Sequence, residues 1–153
     1  MDIEVTSQKS QIAVALKKEK VTMAEISVLA TEGLQKIFGL LAQQGVEIAG
    51  APYLAYANCS ADFTQFDVEL GIPVGEEVVV SGEFFMSKTC EGKAIAAMYK
   101  GAYKDIEVAY TALMEYMAIN KLETTGIYYE YYVNNPADTP ESELLTQVVF
   151  PIK

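Results

Sequence analysis

The sequence predicts an α+β domain in which two strand-helix-strand-strand repeats form one antiparallel sheet, with two helices on one face and a ligand cleft on the other. Three observations lead there. Two amphipathic helical stretches stand far apart in the chain, each is preceded by one strand-like run and followed by two, and the 153 residues, 51% hydrophobic, are enough to bury one domain's core.

The first helix opens at Thr22, where Thr22-Met23-Ala24-Glu25 has the form of a capping box. Ile26, Leu29, Ala30, Gly33, Ile37, Leu40 and Leu41 follow at helical spacing, and Gly45 supplies a stop. The second helix is expected from near Tyr103, with Ile106, Ala109, Tyr110, Leu113, Met117 and Ile119 on its apolar face, ending by Asn120. Residues 11–16 read as the strand before the first helix, and 52–57 and 66–74 as the two after it. Residues 92–99, then 127–133 and 144–150, repeat that order around the second helix. The chain is thus one domain, 1–153, built from pseudo-repeats of about 1–75 and 80–153 that join near 73–83.

Composition removes several kinds of chemistry. Eleven Lys plus Arg against 21 Asp plus Glu give a formal charge of -10, a field that repels phosphate backbones and attracts cations, so direct nucleic-acid binding is not expected. Histidine is absent, which excludes Ser-His-Asp and Cys-His catalysis and most zinc and iron sites. Cys59 and Cys90 lack metal-ligand spacing and are expected as reduced, partly buried thiols. No cofactor and no metal are expected. The first residues have no signal-peptide pattern and no apolar run approaches the roughly 20 residues of a membrane span, so a cytoplasmic location is expected.

The densest chemistry lies in residues 127–133, where Tyr128, Tyr129, Tyr131 and Tyr132 surround Glu130. As a strand, this run puts Tyr128, Glu130 and Tyr132 on one face. Ring quadrupoles there could grip a flat organic cation at roughly 0.5 to 2 kcal/mol per well-placed aromatic, with the carboxylate as countercharge. An edge strand with its charge turned to water fits the same window. Because a carboxylate pressed against the helices would be a costly buried charge, the helix-free side is the expected location of Glu130. Tyr53 and Ala55 are expected to face that cleft, with Leu54 and Tyr56 in the core, and Glu69 is expected nearby. Tyr99, Tyr103 and Tyr110 are expected mainly in core and rim packing.

Five segments in order resemble the GyrI-like small-molecule-binding domains, which also serve as effector-binding domains of bacterial multidrug-sensing transcription activators. They are Gly50-Ala51-Pro52-Tyr53, residues 67–74, Tyr99-Lys100-Gly101-Ala102-Tyr103, residues 130–136 with Thr139-Pro140, and residues 144–152. The resemblance runs nearly end to end. It implies that Glu130 lies on the floor of an aromatic cleft and pairs with the positive charge of lipophilic drugs and dyes, with Tyr128, Tyr132, Tyr53, Glu69 and Tyr99 as further ligand-binding candidates. Two departures bear on ligand choice: Tyr99 stands where a histidine is usual, and the tryptophan often found in the pocket is missing. No helix-turn-helix precedes the first strand, so a free-standing form is expected rather than a transcription factor.

The leading expectation is therefore a module that binds amphipathic, cationic aromatic molecules for sensing or sequestration. A second follows from relatives that hydrolyse strained cyclopropane-containing toxins: Glu130 would act as general base, with Tyr99, Tyr128 or Tyr132 donating to an oxygen. A third is an acidic protein that modulates gyrase, or that partners a separate regulator.

Overall fold

A computed structural model describes residues 1–153. Its eight strands are β1 (Ile3–Gln8), β2 (Ile12–Val21), β3 (Tyr53–Ala57), β4 (Phe66–Pro73), β5 (Phe85–Lys88), β6 (Gly92–Lys100), β7 (Tyr128–Tyr132) and β8 (Leu145–Pro151). Two α-helices, α1 (Met23–Gln44) and α2 (Glu107–Ile119), complete it, with 3-10 turns at Tyr103–Asp105, which leads into α2, and at Glu141–Glu143 before β8.

Local chemistry sets the ends of α1. The Thr22 side chain accepts from the Glu25 amide while the Glu25 carboxylate accepts from the Thr22 amide, which satisfies two donors at the helix start. At the other end Gly45 takes a left-handed conformation at φ 64°, which costs glycine little. Between them Ile26, Gly33, Ile37 and Leu41 are buried. Gly33 permits close approach to the sheet, because a Cβ there would come within 2.5 Å of Leu70 Cδ2.

All eight strands form one antiparallel sheet in the order β1-β6-β8-β7-β3-β4-β2-β5. The two halves meet where β3 pairs with β7. They also exchange their edges: β1, which precedes β2 in the chain, lies beside β6, and β5, which precedes β6, lies beside β2. Each half therefore closes the other's outer strand. β1 and β5 were not expected as strands; both are edge strands with mixed polarity, and β5 has only four residues.

Both helices lie on the same face, α1 packed over β2 and β4 and α2 over β6, β8 and β1. Beneath α1 sits a core that includes Val14, Leu16, Leu54, Leu70 and Ile72, and beneath α2 one that includes Ile95, Leu113, Val148 and Phe150. Tyr128 packs against both. The seam strands β3 and β7 run between the two helices. The opposite face is floored by small side chains, Ala13, Ala55, Ala94 and Ala96, beneath Tyr53, Tyr129 and Tyr131. No helix is long and apolar enough to cross a membrane.

Candidate functional site

Glu130 is the centre of β7 and pairs with Leu54 on one side and Val148 on the other. Opposed residues in an antiparallel sheet share a face, and Leu54 and Val148 belong to the two helix-side cores. Tyr128, Glu130 and Tyr132 therefore face the helix side, not the helix-free side expected from the cost of burying charge. The expectation failed because the seam is flanked by helices rather than covered by them, and because the carboxylate is not left unpaired.

Three phenols satisfy it. Tyr132 donates to Oε1 at 2.8 Å, Tyr56 donates to the same oxygen at 3.4 Å, and Tyr110, reaching down from α2, donates to Oε2. Glu130 is only 7% exposed. Burial pushes its pKa above the ordinary carboxylate value, against the opposing pull of the hydrogen bonds from Tyr110, Tyr132 and Tyr56. The same burial, with the Glu130 charge next in importance, pushes the phenols of Tyr56, Tyr110 and Tyr132 well above theirs, so they remain protonated donors.

A wall of rings surrounds this cluster. Tyr128 lies edge-on to Phe150 at 4.7 Å and to Tyr110 at 6.5 Å, and Tyr103 lies edge-on to Tyr132 at 5.5 Å. Such offset and edge contacts suit aromatic quadrupoles and leave ring faces able to receive a cation. The carboxylate is sealed under its own phenols, so a ligand that touches it must first displace some of them.

Of the expected ligand residues, the structure brings Glu130, Tyr128 and Tyr132 together. Tyr53 and Glu69 do lie on the helix-free face, as expected, but that puts the sheet between them and Glu130. There Tyr53 donates to Glu69 Oε2 at 2.7 Å and Ser87 donates to the same oxygen at 2.8 Å. The ring of Tyr53 lies across Gly71, where a Cβ would meet it at 2.5 Å. Tyr99 is on the helix side but buried in the α2 core, its hydroxyl donating to the Ala102 carbonyl at 2.7 Å. Tyr110 and Tyr56, expected in packing roles, prove to be direct partners of Glu130. The position of Tyr56 on the face alternate to Tyr53 was the signal that could have identified it; the reach of Tyr110 depends on where α2 sits and has no such signal.

An open groove of about 590 Å³ lies elsewhere, along α1. Its Lys18–Glu25 and Lys36–Glu83 ion pairs are exposed, and it has none of the converging aromatics of the Glu130 cluster. No group of three or more acidic or sulfur ligands converges as it would to hold a metal ion.

The same fold occurs in several solved structures. The C-terminal domain of EcmrR superposes with a TM-score of 0.84 at 17% identity, over 99% of this chain and 97% of that one. In an EcmrR–DNA complex the match has a TM-score of 0.86 at 17% identity, and this chain spans 57% of that longer one. SAV2435 bound to tetraphenylphosphonium matches with a TM-score of 0.66 at 14% identity, over 100% and 94% of the two chains. A hydrolase from Listeria innocua matches with a TM-score of 0.65 at 9% identity, over 99% and 91%. No curated protein matches the sequence significantly. The profile of the GyrI-like small molecule binding domain matches residues 1–153, and with it the chain belongs to the GyrI-like family.

Proposed function

We propose that this domain binds amphipathic, aromatic organic cations between its two helices, with Glu130 as the countercharge and the surrounding tyrosines as the desolvating wall. The observation that carries the reading is the single buried carboxylate held by Tyr56, Tyr110 and Tyr132. A cation entering the cluster would find one negative charge, ring faces and little water, conditions in which each cation–aromatic contact contributes up to about 2 kcal/mol. The ligand-bound SAV2435 structure supports the reading by analogy, since its fold is shared and its ligand is a lipophilic cation.

Entry requires rearrangement. Tyr132 and Tyr110 must give up hydrogen bonds to Glu130 or share them, and the ligand's charge then compensates the carboxylate. The role in the cell is sensing or sequestration of such molecules. Occupancy could be relayed to a regulator, because the same fold forms part of the longer EcmrR chain seen on DNA. The test is a fluorescence-anisotropy titration with rhodamine 6G. Saturable binding by the wild type that is lost in Glu130→Gln is expected, whereas binding of equal strength in both proteins would refute the site.

A second reading has its own support. A carboxyl whose pKa is raised by burial, beside phenols held as acids, is suited to general acid-base chemistry, and the Listeria innocua hydrolase has this fold. Glu130 would take a proton from water, the water oxygen would attack a strained ring carbon, the ring bond would break, and a phenol would protonate the departing atom. Product formation from a cyclopropane-bearing electrophile, followed by mass spectrometry, separates this from binding: turnover at the buffer rate, or turnover unchanged in Glu130→Gln, rules it out.

A further inference from the structure

Thr146 is fully buried, and its Oγ1 is the only buried side-chain oxygen or nitrogen without a hydrogen-bond partner. It sits on β8 directly opposite Tyr99 on β6 and Tyr132 on β7. Neither phenol serves it: the Tyr99 hydroxyl is committed to the Ala102 carbonyl and the Tyr132 hydroxyl to Glu130. Valine would fill the same volume and suit the strand without stranding a hydroxyl. An orphan of this kind is accounted for when its partner comes from outside the chain.

The place of Thr146 in the sheet says which partner. Glu130 opposes Val148, so Thr146 is its diagonal neighbour on the same face, a pair whose β carbons stand somewhat closer than roughly 7 to 8 Å. Tyr132 spans that interval, standing opposite Thr146 with its hydroxyl on Glu130. When Tyr132 swings aside to admit a ligand, it uncovers both groups together. A nitrogen placed between them would lie at about 2.9 Å from each oxygen once the longer glutamate side chain leans toward it. A carboxylate has about four acceptor positions, and with Tyr132 swung aside Tyr56 and Tyr110 fill two of them, so Glu130 can accept from such a nitrogen.

We propose that Thr146 Oγ1 is a second polar anchor of the Glu130 site, accepting a hydrogen bond from the ligand and selecting cations that carry N–H groups, such as primary ammonium or amidinium, over permanently alkylated ones. This rests on the cation-binding reading above and narrows its ligand class. Glu130 supplies charge to either kind of cation; Thr146 rewards only the kind that can donate.

The probes are 2-naphthylmethylammonium and its N,N,N-trimethyl counterpart, titrated calorimetrically at pH 7 into wild type, Thr146→Val, Thr146→Ser and Glu130→Gln. The proposal expects Thr146→Val to weaken the primary ammonium about five- to tenfold while the trimethyl cation stays within about twofold. Thr146→Ser should keep the wild-type preference, and a melting temperature for Thr146→Val no lower than wild type would show that packing is intact. Equal changes for both probes in Thr146→Val, with both still dependent on Glu130, would overturn the proposal and leave the parent reading standing. If neither probe binds the wild type, or if Glu130→Gln binds both unchanged, the parent reading falls and the proposal with it.

Discussion

Leu54 and Glu130 face each other across the β3–β7 seam, and each occupies the other's position in the opposite half of the chain. The alignment follows from the equivalent bridges Ile48–Val74 and Thr124–Ile152, from which Leu54 and Glu130 stand the same number of residues onward. Tyr56 and Tyr132 are equivalent in the same way, and both donate to Glu130 Oε1. The pseudo-twofold thus places two matching phenols around one carboxylate, and the apolar Leu54 keeps the charge single.

Doubling that charge should be severe. Leu54→Glu would set two carboxyls in direct opposition, with β carbons about 5 Å apart and no second set of phenols. The expected loss is on the order of 3–5 kcal/mol at pH 8 and far less near pH 4, where the added group takes up a proton. Urea midpoints at the two pH values measure it, and a loss independent of pH would contradict the placement of Glu130 opposite Leu54.

The three phenols should rank by their hydrogen bonds. Tyr132→Phe and Tyr110→Phe each remove a donor to a buried carboxylate and should cost about 1.5–3 kcal/mol at neutral pH, while Tyr56→Phe, at 3.4 Å, should cost under about 1 kcal/mol. Chemical denaturation gives the ranking directly, and Tyr56→Phe proving the most damaging would mean the cluster is arranged otherwise.

The pH dependence of stability has a definite sign. Burial raises the folded-state pKa of Glu130 above its ordinary value, so its contribution to stability is fully present below the unfolded-state pKa and is lost as pH rises through the folded one. Glu130→Gln lacks that titration. Its melting temperature relative to wild type should climb from acid toward neutral pH, as calorimetric scans at a series of pH values would show; a difference that falls over that range has the wrong sign.

The two faces of the sheet should behave independently. Glu69→Gln removes one negative charge, as Glu130→Gln does, but from the helix-free face, and should leave dye affinity within about twofold. Gly71→Ala, which drives a methyl into the Tyr53 ring, should cost about 1–3 kcal/mol in stability and likewise spare binding. Loss of binding in Glu69→Gln equal to that in Glu130→Gln would put the site on the wrong face.

Most of the sheet was legible in the sequence because its inner strands are short, mainly apolar runs buried on both faces, and because α1 carries caps at both ends. Thr22 and Gly45 bounded α1 to the residue, and the repeated order of elements foretold the seam. β1 and β5 escaped because an edge strand need not bury a face, so its composition carries little periodicity. Glu130 stood out through its tyrosine neighbours, but its face did not: the penalty for burying a charge was weighed without the donors that offset it, and Tyr110 comes from a helix whose placement no local pattern encodes. Tyr53 and Glu69 were expected beside Glu130, whereas they pair with each other on the other face of the sheet.

The most direct test of the account compares tetraphenylphosphonium with the neutral triphenylphosphine oxide on wild type and Glu130→Gln by isothermal titration calorimetry. If Glu130 acts through its charge, the substitution weakens the cation at least about tenfold and the neutral compound less than about twofold. Equal losses for the two compounds would show that Glu130 serves only the shape of the cleft, and the cation-binding reading would be wrong.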